Sequence, residues 1–188
     1  MKYAKTCLCV VALLIMGSTM ILPVKVSAAT VPAHRVQMRH YQLVAHMPLT
    51  SSCFDTLTTS SQDRDIYLAD ASNRQVDVLD LFSMTMERPI GTHQFAGEGG
   101  CRQFEFSHMG PSGLLFDTEQ RLWVSDGDST IKLFSRQGHV LAKIATGGQD
   151  RVDSLAFARS KDVVLAVNAD DPRAFVSLID THTLRILA

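Results

Sequence analysis

One pattern of residues occurs three times along the chain and constrains its fold more than any other feature. Asp65-Ile66-Tyr67-Leu68-Ala69-Asp70 leads through Ala71-Ser72-Asn73-Arg74 to Val76-Asp77-Val78-Leu79-Asp80. Arg121-Leu122-Trp123-Val124-Ser125-Asp126 leads through Gly127-Asp128-Ser129 to Ile131-Lys132-Leu133-Phe134. Val163-Val164-Leu165-Ala166-Val167-Asn168 leads through Asp170-Asp171-Pro172 to Phe175-Val176-Ser177-Leu178-Ile179-Asp180. Short apolar or alternating runs bounded by Asp, Asn, Gly, Ser and Pro predict two β-strands joined by a turn. A further short strand is predicted before each window, at 54–57, 113–116 and 153–157, and another after it, at 86–90, 140–144 and 184–187.

Four antiparallel strands per unit, recurring at roughly 40–45 residues, predict an all-β fold of propeller blades. A four-stranded sheet of this size has two apolar faces and cannot cover both, so neighbouring units must do so. The blades are placed at about residues 50–91, 111–147 and 152–188, within a domain over 29–188. Tyr67 and Trp123 are 56 positions apart, whereas Trp123 and Leu165 are 42 apart. The extra residues form an insertion over 91–110, glycine-rich and flexible by composition. Residues 40–49 read as a lone strand of the kind that completes a last blade. Three blades and one strand fall short of the usual four to eight, so the ring is expected to be incomplete. The expectation is a partial, N-terminal portion of a longer propeller, with missing blades or self-association covering the open sheet edges.

The N-terminus carries Lys2 and Lys5 ahead of the apolar run Leu8 to Met16, and Val26-Ser27-Ala28 supplies compact residues for cleavage. This predicts a signal peptide over 1–28 and a periplasmic or secreted destination. Gly17, Ser18, Pro23 and Lys25 interrupt the run before the ~20 apolar residues of a membrane span, so no stable membrane anchor is expected. The chain has 18 basic and 19 acidic residues. Cleavage would remove Lys2, Lys5 and Lys25 and no acid, leaving 15 against 19 and a formal charge of −4. Without a concentrated basic cluster to neutralise phosphates, nucleic acid is not an expected partner. Cys53 and Cys101 remain in the mature part, and the sequence leaves a disulfide and two buried thiols equally open.

Leu68-Ala69-Asp70-Ala71-Ser72-Asn73 followed by Val76 to Asp80 resembles the bacterial YncE-like propellers, or YVTN-repeat proteins. Gly110-Pro111-Ser112-Gly113 leading to Trp123 through Thr130, and Asn168 through Pro172, carry the same likeness. It covers about residues 41–188, without the literal Tyr-Val-Thr-Asn tetrapeptide. The resemblance implies a seven-bladed complete form and a binding or surface protein rather than an enzyme. Gly110 to Gly113 and Trp123 to Gly127 also resemble segments of the gluconolactonase propellers. That likeness implies an alternative, a metal-dependent lactonase-like hydrolase in which a cation polarises the carbonyl. A subunit partnering a redox protein rests on fold analogy alone.

In a propeller the loops joining second to third strands and those joining blades emerge on one face. The candidate ligand-binding residues are therefore Asp70, Asn73, Asp126, Asp128, Asn168 and Asp170, with Asp171, His93 and His108 beside them. Carboxylates and amides gathered there suit Ca2+ or another divalent cation, although no cofactor is required by any motif. The same residue types are those tight turns need for local backbone bonding. His108 suits a metal, a proton shuttle or a hydrogen-bonded loop. Trp123 and Tyr67 occupy matching strand positions and are expected in the core. Gly-x-Ser-x-Gly, His-Glu-x-x-His, a mature Cys-x-x-Cys and a phosphate loop are absent, which argues against common hydrolases and nucleotide enzymes. The expected partner is a protein or small molecule on the loop face.

Overall fold

The structure is a computed structural model that describes residues 43, 45–47, 49, 52–97 and 108–188. The expected signal peptide over 1–28, Cys101 and residues 98–107 of the insertion lie outside the described residues. Of the segment 40–49, the described residues Leu43, Ala45, His46, Met47 and Leu49 are not within a strand. Among the described residues no helix is long and apolar enough to cross a membrane.

Among the described residues, eleven strands form three antiparallel sheets. The first contains β1 (Phe54–Thr59), β2 (Asp65–Asp70), β3 (Gln75–Asp80) and β4 (Thr85–Met86) in sequence order. The second contains β5 (Leu114–Phe116), β6 (Leu122–Ser125), β7 (Thr130–Phe134) and β8 (Val140–Ala145). The third contains β9 (Ser154–Ala158), β10 (Val163–Asn168) and β11 (Phe175–Asp180). Its expected fourth strand is reduced to a bridge between Ile179 and Ile186, with the Leu187 amide donating to Leu178 O at 2.7 Å. The first blade ends similarly, because Ile90 pairs back to Val76 beyond the two residues of β4. Each sheet is a meander, as propeller blades require, and the three blades follow one another in the chain.

Alternation along β6 shows why the blades need each other. Leu122 and Val124 face the first blade and pack with Tyr67, Ala69, Val76, Val78 and Phe134. Trp123 points the other way and packs with Val152, Val164, Ala166 and Ile179 toward the third blade. Both faces of the middle sheet are thus apolar and buried, each covered by a neighbour. Tyr67 and Trp123 are 5% and 0% exposed, in the core as the repeat predicts. Their polar tips are satisfied: Tyr67 Oη donates to Asp63 at 3.2 Å, and Trp123 Nε1 donates to the buried Asp117 at 2.8 Å.

The innermost strands β1, β5 and β9 neighbour one another across the blades. Two hydroxyls stitch them together. Thr56 Oγ1 donates to Ser112 O, and Ser112 Oγ donates to Val152 O at 2.7 Å. This brings the ends of β2, β6 and β10, with the connectors between blades, to one side.

Candidate functional site

The sequence-derived candidates divide into three groups, each with its own bonding. In the first blade, Asp70 is fully buried and accepts from Ser52 Oγ, from the Asn73 amide at 3.0 Å and from Asn73 Nδ2 at 2.6 Å. Asn73 itself is exposed, and its side chain closes the turn onto Asp70.

In the second blade Asp126, also fully buried, pairs with Lys132 Nζ. It accepts from the amides of Ala96 at 2.8 Å, Gly97 at 3.1 Å and Gly127 at 2.8 Å. Asp126 therefore anchors the part of the insertion that composition suggested was flexible. Glycine is required by crowding here: a Cβ on Gly127 would lie 2.1 Å from His108 O, and one on Gly110 would lie 2.3 Å from Asp126 Oδ1. Asp128 is half-buried and meets Lys143 at 2.7 Å, Lys132 at 3.6 Å and the Thr130 hydroxyl. Burial pushes its carboxyl up, but Lys143, Thr130 and Lys132 together outweigh burial and hold it below the ordinary aspartate range.

In the third blade Asn168 is fully buried, and its Nδ2 donates to Ser129 Oγ at 2.8 Å and to the carbonyl of Asp150 at 3.2 Å. Asp150 lies 3.9 Å from Nε2 of the half-exposed His108. Asp170 meets Arg151 at 3.0 Å, and Asp171 accepts the Gln149 amide at 2.8 Å. His93 adopts a left-handed backbone, φ 64°, in the connector after the first blade. Cys53 is disulfide-bonded. Its sulfur packs 3.8 Å from Met109 Sδ.

Sequence reasoning missed the residue that ties the loop face together. Arg151, whose side chain is 11% exposed, reaches Asp55 at 3.1 Å, Asp153 at 2.5 Å and Asp170 at 3.0 Å. Asp55 lies on β1, Asp153 just before β9 and Asp170 after β10, so one guanidinium joins the first blade to the third. Its five rigid donors suit several carboxylates at once. Burial pushes Asp55 up first, with Asp153 adding and Arg151 opposing. Three carboxylates around one cation leave this face acidic, and Asp150 lies in the same connector. No motif signals such a group, because its members lie up to 115 residues apart (Asp55 to Asp170).

A second feature lies at the opposite end of β2 from Asp70. A groove of about 880 Å³ opens between the first two blades, lined by Asp63, Asp65, Tyr67, Glu87, Arg136 and His139 among others. Arg136 bridges the blades by bonding Gln62 and Asp63, each at 2.8 Å. Asp65 is pushed up, by burial first and then by Asp63, Glu87 and Asp80.

For a hard cation the loop face offers two buried oxygens that accept no hydrogen bond from the described residues, Asn168 Oδ1 and Asp171 Oδ2. Among the described residues no three His, Cys, Asp or Glu side chains gather in a metal-holding group.

No protein-family model matches the sequence, and no curated protein does. Solved structures match. The computationally designed Ika4 protein is similar at 19% identity and TM-score 0.55, over 79% of this chain and 79% of that one. U3-55K is similar at 15% identity and TM-score 0.57, over 76% of this chain and 40% of that one. The WD40 repeats of RRP9 are similar at 14% identity and TM-score 0.58, over 76% and 39% respectively. The chain thus spans about two-fifths of the length of these last two. At such identities the likeness establishes the fold alone: the three sheets are blades of a β-propeller.

Proposed function

We propose that this chain is an exported, YncE-like propeller module that binds a cationic protein partner on its acidic loop face. The observation that carries the reading is the Arg151 cluster. It makes Asp55, Asp153 and Asp170 one continuous surface across the first and third blades. Most other acids of this face are already committed, Asp126 to Lys132 and Asp70 to its turn, so they organise loops rather than meet a ligand. The three partly exposed carboxylates exceed the charge of the single arginine, and their field steers positive groups toward the axis. Export is supported by Lys2 and Lys5 before an apolar run, and a disulfide-bonded Cys53 suits an oxidising compartment. Additional blades or a second copy of the chain would cover the partly exposed face of β10 and β11, where Val176 is 44% exposed.

The test is a peptide array of lysine- and arginine-containing sequences, read against the full chain and its Asp55→Asn/Asp153→Asn variant. Binding that weakens at least tenfold in the variant and falls with added salt supports the proposal. Binding indifferent to the two substitutions, or confined to neutral peptides, refutes it.

A further inference from the structure

Each blade carries one buried polar pair at the same two register positions of its central hairpin. Leu68 stands opposite Asp77 as Val124 stands opposite Lys132 and Ala166 opposite Ser177. Two residues beyond the first member of each pairing come Asp70, Asp126 and Asn168. The diagonal pairs are therefore Asp70 with Asp77, Asp126 with Lys132, and Asn168 with Ser177. All six side chains belong to buried residues, none more than 8% exposed. The second pair is acid with ammonium and the third is amide with hydroxyl, so both are electrically neutral. Charge is costly at such burial unless it is matched. The first blade places two carboxyls where its siblings place neutral pairs.

We propose that Asp70 and Asp77 hold one proton between them in the folded protein, Asp77 being the acid that donates to the Asp70 carboxylate, and that losing it loosens the 70–73 turn. The donors around the pair decide which partner is ionised. Asp70 accepts from Ser52 Oγ, the Asn73 amide and Asn73 Nδ2, three donors that leave it no proton of its own to give. Asp77 receives Gln75 Nε2 at 2.7 Å. Burial, opposed by Gln75 and reinforced by the Asp70 charge and by hydrogen bonding to Asp70, pushes the Asp77 carboxyl up from its ordinary 3.8. Those are the groups that face it: Gln75 from β3 itself and Asp70 from β2, with Thr92 bonding Gln75 from the following connector at 3.3 Å.

An acid raised by folding strengthens the fold below its unfolded value, and that contribution is lost as pH rises through the folded value. A second carboxylate then stands against Asp70, whose oxygens hold Ser52 and the Asn73 turn. The clasp is thus tight in acid and loose in alkali, whereas in the second blade Asp126 meets an ammonium, Lys132, in place of a second carboxyl.

The experiment compares the full chain with Asp77→Asn, which keeps the shape and a permanent donor, and Asp77→Lys, which imports the second blade's base. Urea unfolding is followed from pH 4 to pH 8, with the Asp77 carboxyl carbon titrated by NMR in the unaltered protein. The unfolding constant of the unaltered chain is expected to rise relative to Asp77→Asn, by up to tenfold per pH unit inside the titration window. The Asn73 amide is expected to lose protection over the same range, and Asp77→Asn to abolish both effects. Parallel stability curves overturn the proposal, as does a carboxyl titrating at its ordinary value. A Ca2+-dependent stabilisation at pH 7 that vanishes in Asp77→Asn also overturns it, because a cation would then hold the charge. The NMR titration needs no variant and decides the matter should neither substitution fold.

Discussion

A buried carboxylate and a buried ammonium fasten the second blade to the connector before it. Asp126 and Lys132 are 0% and 5% exposed, and the carboxylate also collects the amides of Ala96, Gly97 and Gly127. Removing one charge leaves the other in a site that cannot solvate it, a loss of about 3–5 kcal/mol. Asp126→Asn is therefore expected to lower the urea midpoint sharply. Lys132→Met in that background should cost less than Lys132→Met alone, with a coupling of at least ~1 kcal/mol. Additive effects in the four-protein cycle would show that the pair acts independently. Half of this arrangement was legible in advance. An Asp ahead of Gly127-Asp128-Ser129 marks a turn in any sequence, and the repeat placed it on the loop face. Its partners in the preceding connector were hidden because they lie 29–30 positions before it, and no local pattern records a contact made only by stacking. Arg151 was hidden for the same reason, since a lone arginine after Gly147-Gly148-Gln149-Asp150 looks like any solvated connector residue.

Strands were read well where both faces of the sheet are apolar, and less well where a strand closes a blade. The windows beginning at Asp65, Arg121 and Val163 correspond to β2, β6 and β10 within a residue, because period-two alternation and bounding turn residues agree there. The outermost strands are irregular. β8 is a six-residue strand held by a five-position ladder to β7, yet the segment 184–187 shares one bridge with β11. Repetition also marks the turns before these strands, where Asp80 accepts the amides of Phe82 and Ser83 while Asp180 accepts those of His182 and Thr183. These bonds favour the charged form and hold both carboxyls below their ordinary range. The third blade's outer edge should consequently open far more readily than the second's. In hydrogen exchange, the amides of Leu187 and Leu184 are expected to exchange at least tenfold faster than that of Ile144, after correction for intrinsic rates. Equal protection would mean that the few backbone bonds around this bridge hold the segment as firmly as the ladder holds β8.

Blades that share cores with their sequence neighbours form a linear stack, and such a stack unfolds from its ends unless something joins non-adjacent members. The first and third blades have a middle blade between them, and the apolar clusters join only adjacent pairs. Arg151 is the described contact that crosses this gap, through Asp55 on one side and Asp153 and Asp170 on the other. Its worth should lie between the ~1 kcal/mol of an exposed pair and the 3–5 kcal/mol of a buried one, since the guanidinium is 11% exposed and its partners 26–37%. Arg151→Met is therefore expected to cost about 2 kcal/mol and to leave Asp55 and Asp153 repelling each other. The more telling consequence concerns cooperativity. With the bridge intact, exchange protection in β2 and β10 should fall together under mild denaturant. Without it, the two should separate, each blade opening at its own urea concentration while β6 remains protected longest. A single transition in the variant, shifted but undivided, would show that the apolar interfaces alone couple the blades and that the cluster shapes the surface without joining its parts.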